Sequence, residues 1–176
     1  MFKCLCEDSD NEYAEIDRPS SVPTNTPPGR GGAQKKECIG RSRGGLSTKI
    51  HATCDALGNP TGFFLSEGQA HDLDGADALL PGLIPKIKAL LADRAYDAHE
   101  RVIALLERAG VQIVIPPKAN RSQKREYDEE MYKWRHLIEN FFARLKQYRA
   151  IATRYDKRAC NFLGAIYLAA SVITLN

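Results

Sequence analysis

The chain has 176 residues, 43% hydrophobic and 27% charged, which suffices for one substantial core and fits a single compact domain. Its 25 basic and 22 acidic residues leave a net charge of +3, too balanced for a histone-like tail and too rich in both signs for a membrane span. Collagen, coiled coil and residence in a bilayer are excluded by composition. Five scattered cysteines (Cys4, Cys6, Cys38, Cys54, Cys160) and four histidines form neither a zinc pattern nor a disulfide framework. Met1 to Asp10 lacks the basic start and apolar run of a signal peptide, so a reducing, cytoplasmic compartment is expected.

Charge falls in blocks. Residues 1 to 17 hold six acids against Lys3, and residues 18 to 50 reverse this with seven bases against Glu37. The second stretch is broken by Pro19, Pro23, Pro27, Pro28 and four glycines before position 41, so residues 18 to 40 are expected to form an irregular basic loop. Residues 116 to 158 carry twelve bases and six acids, a second positive region. Two basic zones around a neutral middle suggest a polyanion partner.

In chain order, residues 1 to 12 are expected to be a tail. Tyr13 to Asp17 is a strand candidate weakened by Pro19. Leu46 to Cys54 alternates, turns at Gly58-Asn59-Pro60 and resumes over Thr61 to Leu65, which predicts a β-hairpin. Asp72 or Asp74 can cap a short helix ending near Leu80, and Ile87 to Ala92 reads as a buried strand that stops at Asp93. Asp97 with Glu100 resembles a capping box for a helix that Gly110 ends, and Val111 to Ile115 is a further strand. A strand, helix and strand of this size imply parallel pairing. Two helices close the chain, roughly 128 to 149 and 159 to 175. On the first, at about 100° per residue, Trp134, Leu137, Ile138, Phe141 and Leu145 cluster as the buried face. Tyr132, Arg135, Glu139 and Lys146 line one edge within about 60° of each other.

The spacing Tyr132-x2-Arg135-x3-Glu139-x6-Lys146 resembles the catalytic domain of prokaryotic insertion-sequence transposases of the DDE type. Further blocks resemble the same family: Gly40-Arg41-Ser42-Arg43-Gly44-Gly45-Leu46 with Thr48-Lys49-Ile50-His51, Gly68-Gln69-Ala70-His71-Asp72, Leu91-Ala92-Asp93 with Tyr96-Asp97, Ile115-Pro116-Pro117 and Ala152-Thr153-Arg154-Tyr155-Asp156-Lys157. The resemblance implies an α/β fold with a ribonuclease H-like mixed sheet flanked by helices, over residues 13 to 176. It implies Asp17, Asp93 and Glu139 as catalytic residues and metal ligands, holding two Mg2+ ions for which Mn2+ could substitute. Hard divalent ions prefer oxygen donors, which suits three carboxylates from different elements. DNA contacts are expected from Arg41, Arg43, Lys49, Arg135 and Lys146, with Tyr132, His71 and Asp72 in support.

The partners implied are DNA, as transposon ends and target, and a second copy or a partner reading-frame product, without a membrane. Members of the family carry a helical DNA-binding region ahead of the first aspartate, whereas Asp17 has sixteen residues before it, so a second-frame product or a truncated copy is expected. The family also follows this aspartate with Ser-Thr and a Val-Arg-Ala-His-like run, where this chain reads Arg18-Pro19-Ser20-Ser21-Val22-Pro23. Prolines remove backbone donors where the strand should finish. Two readings therefore stand: a metal-dependent enzyme of DNA cleavage and strand transfer, or an inactive remnant that only binds DNA or oligomerises. They differ in whether the Asp17 strand forms and its carboxylate faces Asp93.

Overall fold

The computed structural model of the chain describes residues 13–17, 20–25, 37–121 and 124–175. The expected tail at 1 to 12 and most of the expected loop, at 18–19 and 26–36, lie outside the described residues, as do Cys4 and Cys6. The fold is α/β, a ribonuclease H-like mixed sheet with helices on both faces. Its strands are β1 (Tyr13–Ile16), β2 (Ser20–Pro23), β3 (Gly40–Ser42), β4 (Gly45–Asp55), β5 (Pro60–Glu67), β6 (Ala89–Ala92) and β7 (Gln112–Val114). The helices are α1 (Leu73–Leu83), α2 (Ala104–Ala109), α3 (Glu129–Tyr132), α4 (His136–Leu145), α5 (Arg149–Ala152) and α6 (Ala159–Leu175).

The sheet runs β2, β4, β1, β6, β7, with β3 and β5 also on β4. The hairpin β4–β5 forms as the alternation predicts, turning at Gly58 with φ +80°, a conformation glycine adopts without strain. At its far end a Cβ on Gly68 would stand 3.0 Å from the Ser47 carbonyl, so the turn into α1 needs glycine. β1 is a central strand despite Pro19, antiparallel to β4 and parallel to β6. The segment expected to be irregular also holds β2, which pairs with β4 from Ser20↔Ile50 to Pro23↔Ser47. Edge position explains how a proline-bearing segment does this, because a missing N–H on the outer side breaks no ladder. From Ile16↔Thr53 to Ser20↔Ile50, β4 advances three residues while the other side advances four, so pairing resumes one residue out of step. Asp17 leaves the sheet at that step.

Alternation divides the core. On one face Val22, Ile50, Ala52, Cys54, Phe63 and Leu65 pack against Ile138, Phe141, Phe142 and Leu145 of α4 and Phe162, Ile166 and Ile173 of α6. On the other, Ala14, Ile16, Leu90 and Ala92 pack against Leu73, Ala76, Leu80, Val102, Ile103 and Leu106. α1 covers the polar side of β4, where Gly75 lies so near His51 that a Cβ would stand 2.0 Å from Nδ1. His51 is fully buried with Nε2 at 2.7 Å from Ser66 Oγ, and burial lowers its pKa to about 4.

Three local expectations differ from the fold. Asp72 precedes α1 without capping it, since its carboxylate takes Lys49 Nζ at 2.7 Å. Asp97 also starts no helix, because Ala98 is the N-cap of the π turn His99–Ile103 that leads into α2, while Asp97 ends the 3-10 turn Arg94–Tyr96. It is buried and receives the Lys118 N–H at 2.8 Å and Arg121 Nε at 2.7 Å, anchoring the loop after β7. Burial works to raise the Asp97 carboxyl, yet these bonds and the charges of Arg121 and Arg125 hold it below the usual range. Finally, the helix expected to run unbroken from 128 passes through a 3-10 turn at Lys133–Arg135. A 3-10 turn advances about 120° per residue, so counting at about 100° misplaces the face. Trp134 is 52% exposed and Leu137 half-buried, whereas Phe142 is buried.

Arg154, inside one of the family-like blocks, is the largest fully buried side chain. Its guanidinium donates to the Glu37, Asp156 and Lys157 carbonyls at 2.8 to 3.0 Å and to Thr48 Oγ1 at 2.7 Å, and lies 4.9 Å over the Phe162 ring. Arg154→Met should lower unfolding free energy by about 3 kcal/mol, since several charge-assisted bonds are lost and buried carbonyls are left bare. Urea denaturation measures this, and a change below about 1 kcal/mol would contradict the anchoring role.

Candidate active site

The register Ile16↔Ala92 between parallel strands brings Asp17 and Asp93, one residue further on each, to adjacent C-terminal strand ends. Parallel neighbours lie about 4.8 Å apart, so the two acids leave the same sheet edge side by side. Buried Tyr96 ties these ends together, its hydroxyl donating to the Asp17 carbonyl at 2.7 Å. Asp93 caps the 3-10 turn Arg94–Tyr96, its Oδ1 accepting the Arg94 N–H at 2.6 Å.

The third carboxylate arrives on α4. Arg135, at the α4 N-cap, donates from Nη1 to Asp17 Oδ1 at 2.6 Å and from Nη2 to Glu139 Oε1. Its guanidinium lies 5.6 Å over the Tyr132 ring, a cation–π contact, and Tyr132 stacks edge-on against Tyr127 beside β6 and β7. Burial disfavours the Arg135 charge, but Asp17 and Glu139 outweigh it and keep the pKa above its ordinary value. Burial likewise raises the Tyr132 phenol. Asp17, Tyr132, Arg135 and Glu139 are thus brought together, with Asp93 on the neighbouring strand end.

Other candidates lie elsewhere. Lys49 is held by Asp72 and by the Ala70 carbonyl at 2.6 Å, and His71 Nδ1 accepts the Leu73 N–H at 3.1 Å. These three residues gather where α1 begins, on the sheet face opposite α4. Arg41 in β3 and Arg43 in the turn after it are exposed, on an extension of β4 that reaches roughly 25 Å beyond the level of Asp17. Lys146 is exposed at the end of α4, two turns past Glu139. A groove of about 450 Å³ between the β4–β5 turn and α4, lined by Leu57, Asn140, Gln147 and Thr174, contains no acid.

Glu15 is the residue that sequence reading passes over. It is fully buried, and its Oε2 accepts the Ile138 N–H at 2.9 Å. An acid inside an otherwise apolar strand, in step with Asp17, was the available signal.

Carboxylate donors have the chemistry of a site for hard divalent ions. As the side chains stand, no three His, Cys, Asp or Glu side chains among the described residues are close enough to hold one ion. The Arg135 guanidinium between Asp17 and Glu139 is a stand-in cation for this donor set, so the residues fit the group in kind.

Residues 19–174 match the family model for the transposase DDE domain. The chain belongs to this family. It is also 41% identical over 132 residues, 74% of its own length and 99% of the other's, to a Brucella ovis protein whose name gives it as a transposase for insertion sequence element IS6501. DDE transposases act on DNA and use divalent metal ions. The matched region begins two residues after Asp17 and contains Asp93 and Glu139. Among the described residues, no helix is long and apolar enough to cross a membrane.

Burial pushes the Glu15 carboxyl up to about 8, against the opposing pull of the Ile138 N–H and the Arg135 charge, from an ordinary value of 4.5. The folded state therefore holds this proton more tightly than the unfolded chain. Glu15's contribution to stability is complete below pH 4.5 and is lost as pH rises through about 8. In metal-free protein, Glu15→Gln should accordingly gain on the wild type by a few kcal/mol between about pH 5 and about pH 8, read from urea unfolding in chelator. A difference that does not change with pH would contradict this.

Proposed function

We propose that residues 13 to 176 form the catalytic domain of an insertion-sequence transposase that cleaves and rejoins DNA, with Asp17, Asp93 and Glu139 as ligands for two Mg2+ ions, replaceable by Mn2+. The observation that carries this reading is the parallel β1–β6 register, which sets Asp17 beside Asp93 while Arg135 links Asp17 to Glu139. The alternative is a remnant that keeps fold and charge without a competent metal site; what favours the enzyme over it is that β1 forms, pairs along both of its edges and ends beside the Asp93 strand end.

When bound, the metal ions supply Lewis acidity, activating water or a DNA 3' hydroxyl and stabilising the leaving oxygen. The three carboxylates bind and orient that group from three separate elements. Arg135, freed from Asp17 and Glu139 when their charge is taken up elsewhere, is placed to meet a DNA phosphate with its two-pronged donor set. Tyr132 limits the directions the guanidinium can take. Arg41, Arg43 and Lys146 extend the contact along the backbone, Lys49 contributing only if it leaves Asp72. The partners on this reading are transposon ends, target DNA and a second copy or partner-frame product, in the cytoplasm.

Magnesium-dependent nicking and joining of a plasmid carrying the element's ends tests the reading. Asp17→Asn, Asp93→Asn and Glu139→Gln should each lower the rate by about 100-fold or more, because several kcal/mol of transition-state stabilisation go with each ligand. DNA binding by these variants should persist and weaken steeply with salt. Joining that survives Glu139→Gln would sink the catalytic assignment, and salt-sensitive binding without any wild-type nicking would favour the inactive remnant.

A further inference from the structure

Glu15 lies on the α4 side of β1, fully buried, with Cys54 and Leu91 opposite it on the two neighbouring strands. Among the described residues, its Oε1 has no hydrogen-bond partner. A leucine or methionine would fill this position without desolvating a carboxyl, so the acid is unfavourable to the fold taken alone. What it provides is one bond, from Oε2 to the N–H of Ile138. Ile138 is the third residue of α4, three past the end of the 3-10 turn and immediately before Glu139. Free N–H groups in the first turn of a helix are ordinarily capped by a nearby residue in sequence, whereas here a side chain 123 residues away does so. On the same strand, two residues on, stands Asp17, which Arg135 joins to Glu139. β1 and the first turn of α4 are therefore clamped twice, at Glu15 with Ile138 and at Asp17 with Arg135. The second clamp is the one that metal or DNA would open.

We propose that Glu15 is a positioning residue, a buried carboxyl that holds the first turn of α4 against β1 and so fixes Glu139 relative to Asp17 when Arg135 lets go. This inference rests on the metal-site reading above. It touches neither DNA nor metal, and acts only through the Ile138 N–H. The bond needs an acceptor and not a charge, so glutamine serves in its place and methionine, of similar volume, does not.

The test uses the full chain as wild type, Glu15→Gln, Glu15→Met and Glu139→Gln, with Mn2+ affinity measured by calorimetry and melting temperature measured in chelator. Glu15→Met should melt at or above the wild-type temperature yet bind Mn2+ at least about 10-fold more weakly, the usual loss when a residue supporting a metal ligand is removed. Glu15→Gln should stay within about 3-fold of wild type. Unchanged Mn2+ affinity in Glu15→Met, with Glu139→Gln impaired, would overturn the positioning role and leave the metal site standing. Affinity unchanged in Glu139→Gln would overturn the metal-site reading and this inference with it. A parallel fall of melting temperature and affinity in both Glu15 variants would assign the residue to the fold alone. Should Glu15→Met not fold, amide exchange in the wild type decides: an Ile138 N–H that exchanges at the rate of an unprotected peptide amide would overturn the bond on which the proposal depends.

Discussion

Carboxylates placed at adjacent strand ends repel one another, and the architecture around this site follows from how that repulsion is offset. Like charges brought near one another oppose each other more strongly where water is partly excluded. The chain answers with Arg135, whose planar donors reach Asp17 and Glu139 at once while the Tyr132 ring supports its face. An arginine suits this position better than a lysine because two parallel donors bridge two acids, and the same pair of donors matches a phosphate. On the proposed reading the cation is exchangeable: metal ions would take over the carboxylates as the guanidinium turned to DNA.

That exchange requires a frame that stays put. The frame is a sheet filled on both faces, with β1 paired along both edges and the strand ends laced by Tyr96 to Asp17. Loops around it are held by buried charge. Asp97 gathers the Lys118 backbone and Arg121, and Arg154 gathers carbonyls from two separate loops. Such groups remain in a core only when their partners are fixed, so they hold the loop positions more tightly than apolar contact alone would. Several residues of the family-like blocks thus serve the scaffold and not the chemistry.

Most of the architecture was legible in the sequence because it depends on periodicity. The β4–β5 hairpin, β6, the stop at Gly110 and the 159 to 175 helix follow from local patterns, and Gly110 takes φ +70° as its role demands. β1 was harder, since four residues beside a proline carry little local signal and its stability comes from two partners distant in the chain. Asp72 and Asp97 look like caps in one dimension, yet Lys49 and Arg121, 23 and 24 residues away, claim them. Trp134 fell on the wrong face because one 3-10 turn shifts the helical phase. Asp17, Asp93 and Glu139 were proposed from the family resemblance, whereas Glu15 drew no such attention, because its contact exists only once the Ile138 N–H is folded onto it.

The central claim is that Asp17, Asp93 and Glu139 share one metal site although the chain after Asp17 departs from the family pattern. Iron-directed backbone cleavage addresses it directly: Fe2+ replaces the native ion at the oxygen ligands, and with ascorbate and peroxide it cuts the chain wherever the metal is held. Mass spectrometry should find cuts close to residues 17, 93 and 139, all suppressed by excess Mg2+. Cuts near 93 and 139 with none near 17, or cleavage that Mg2+ leaves unchanged, would contradict the account.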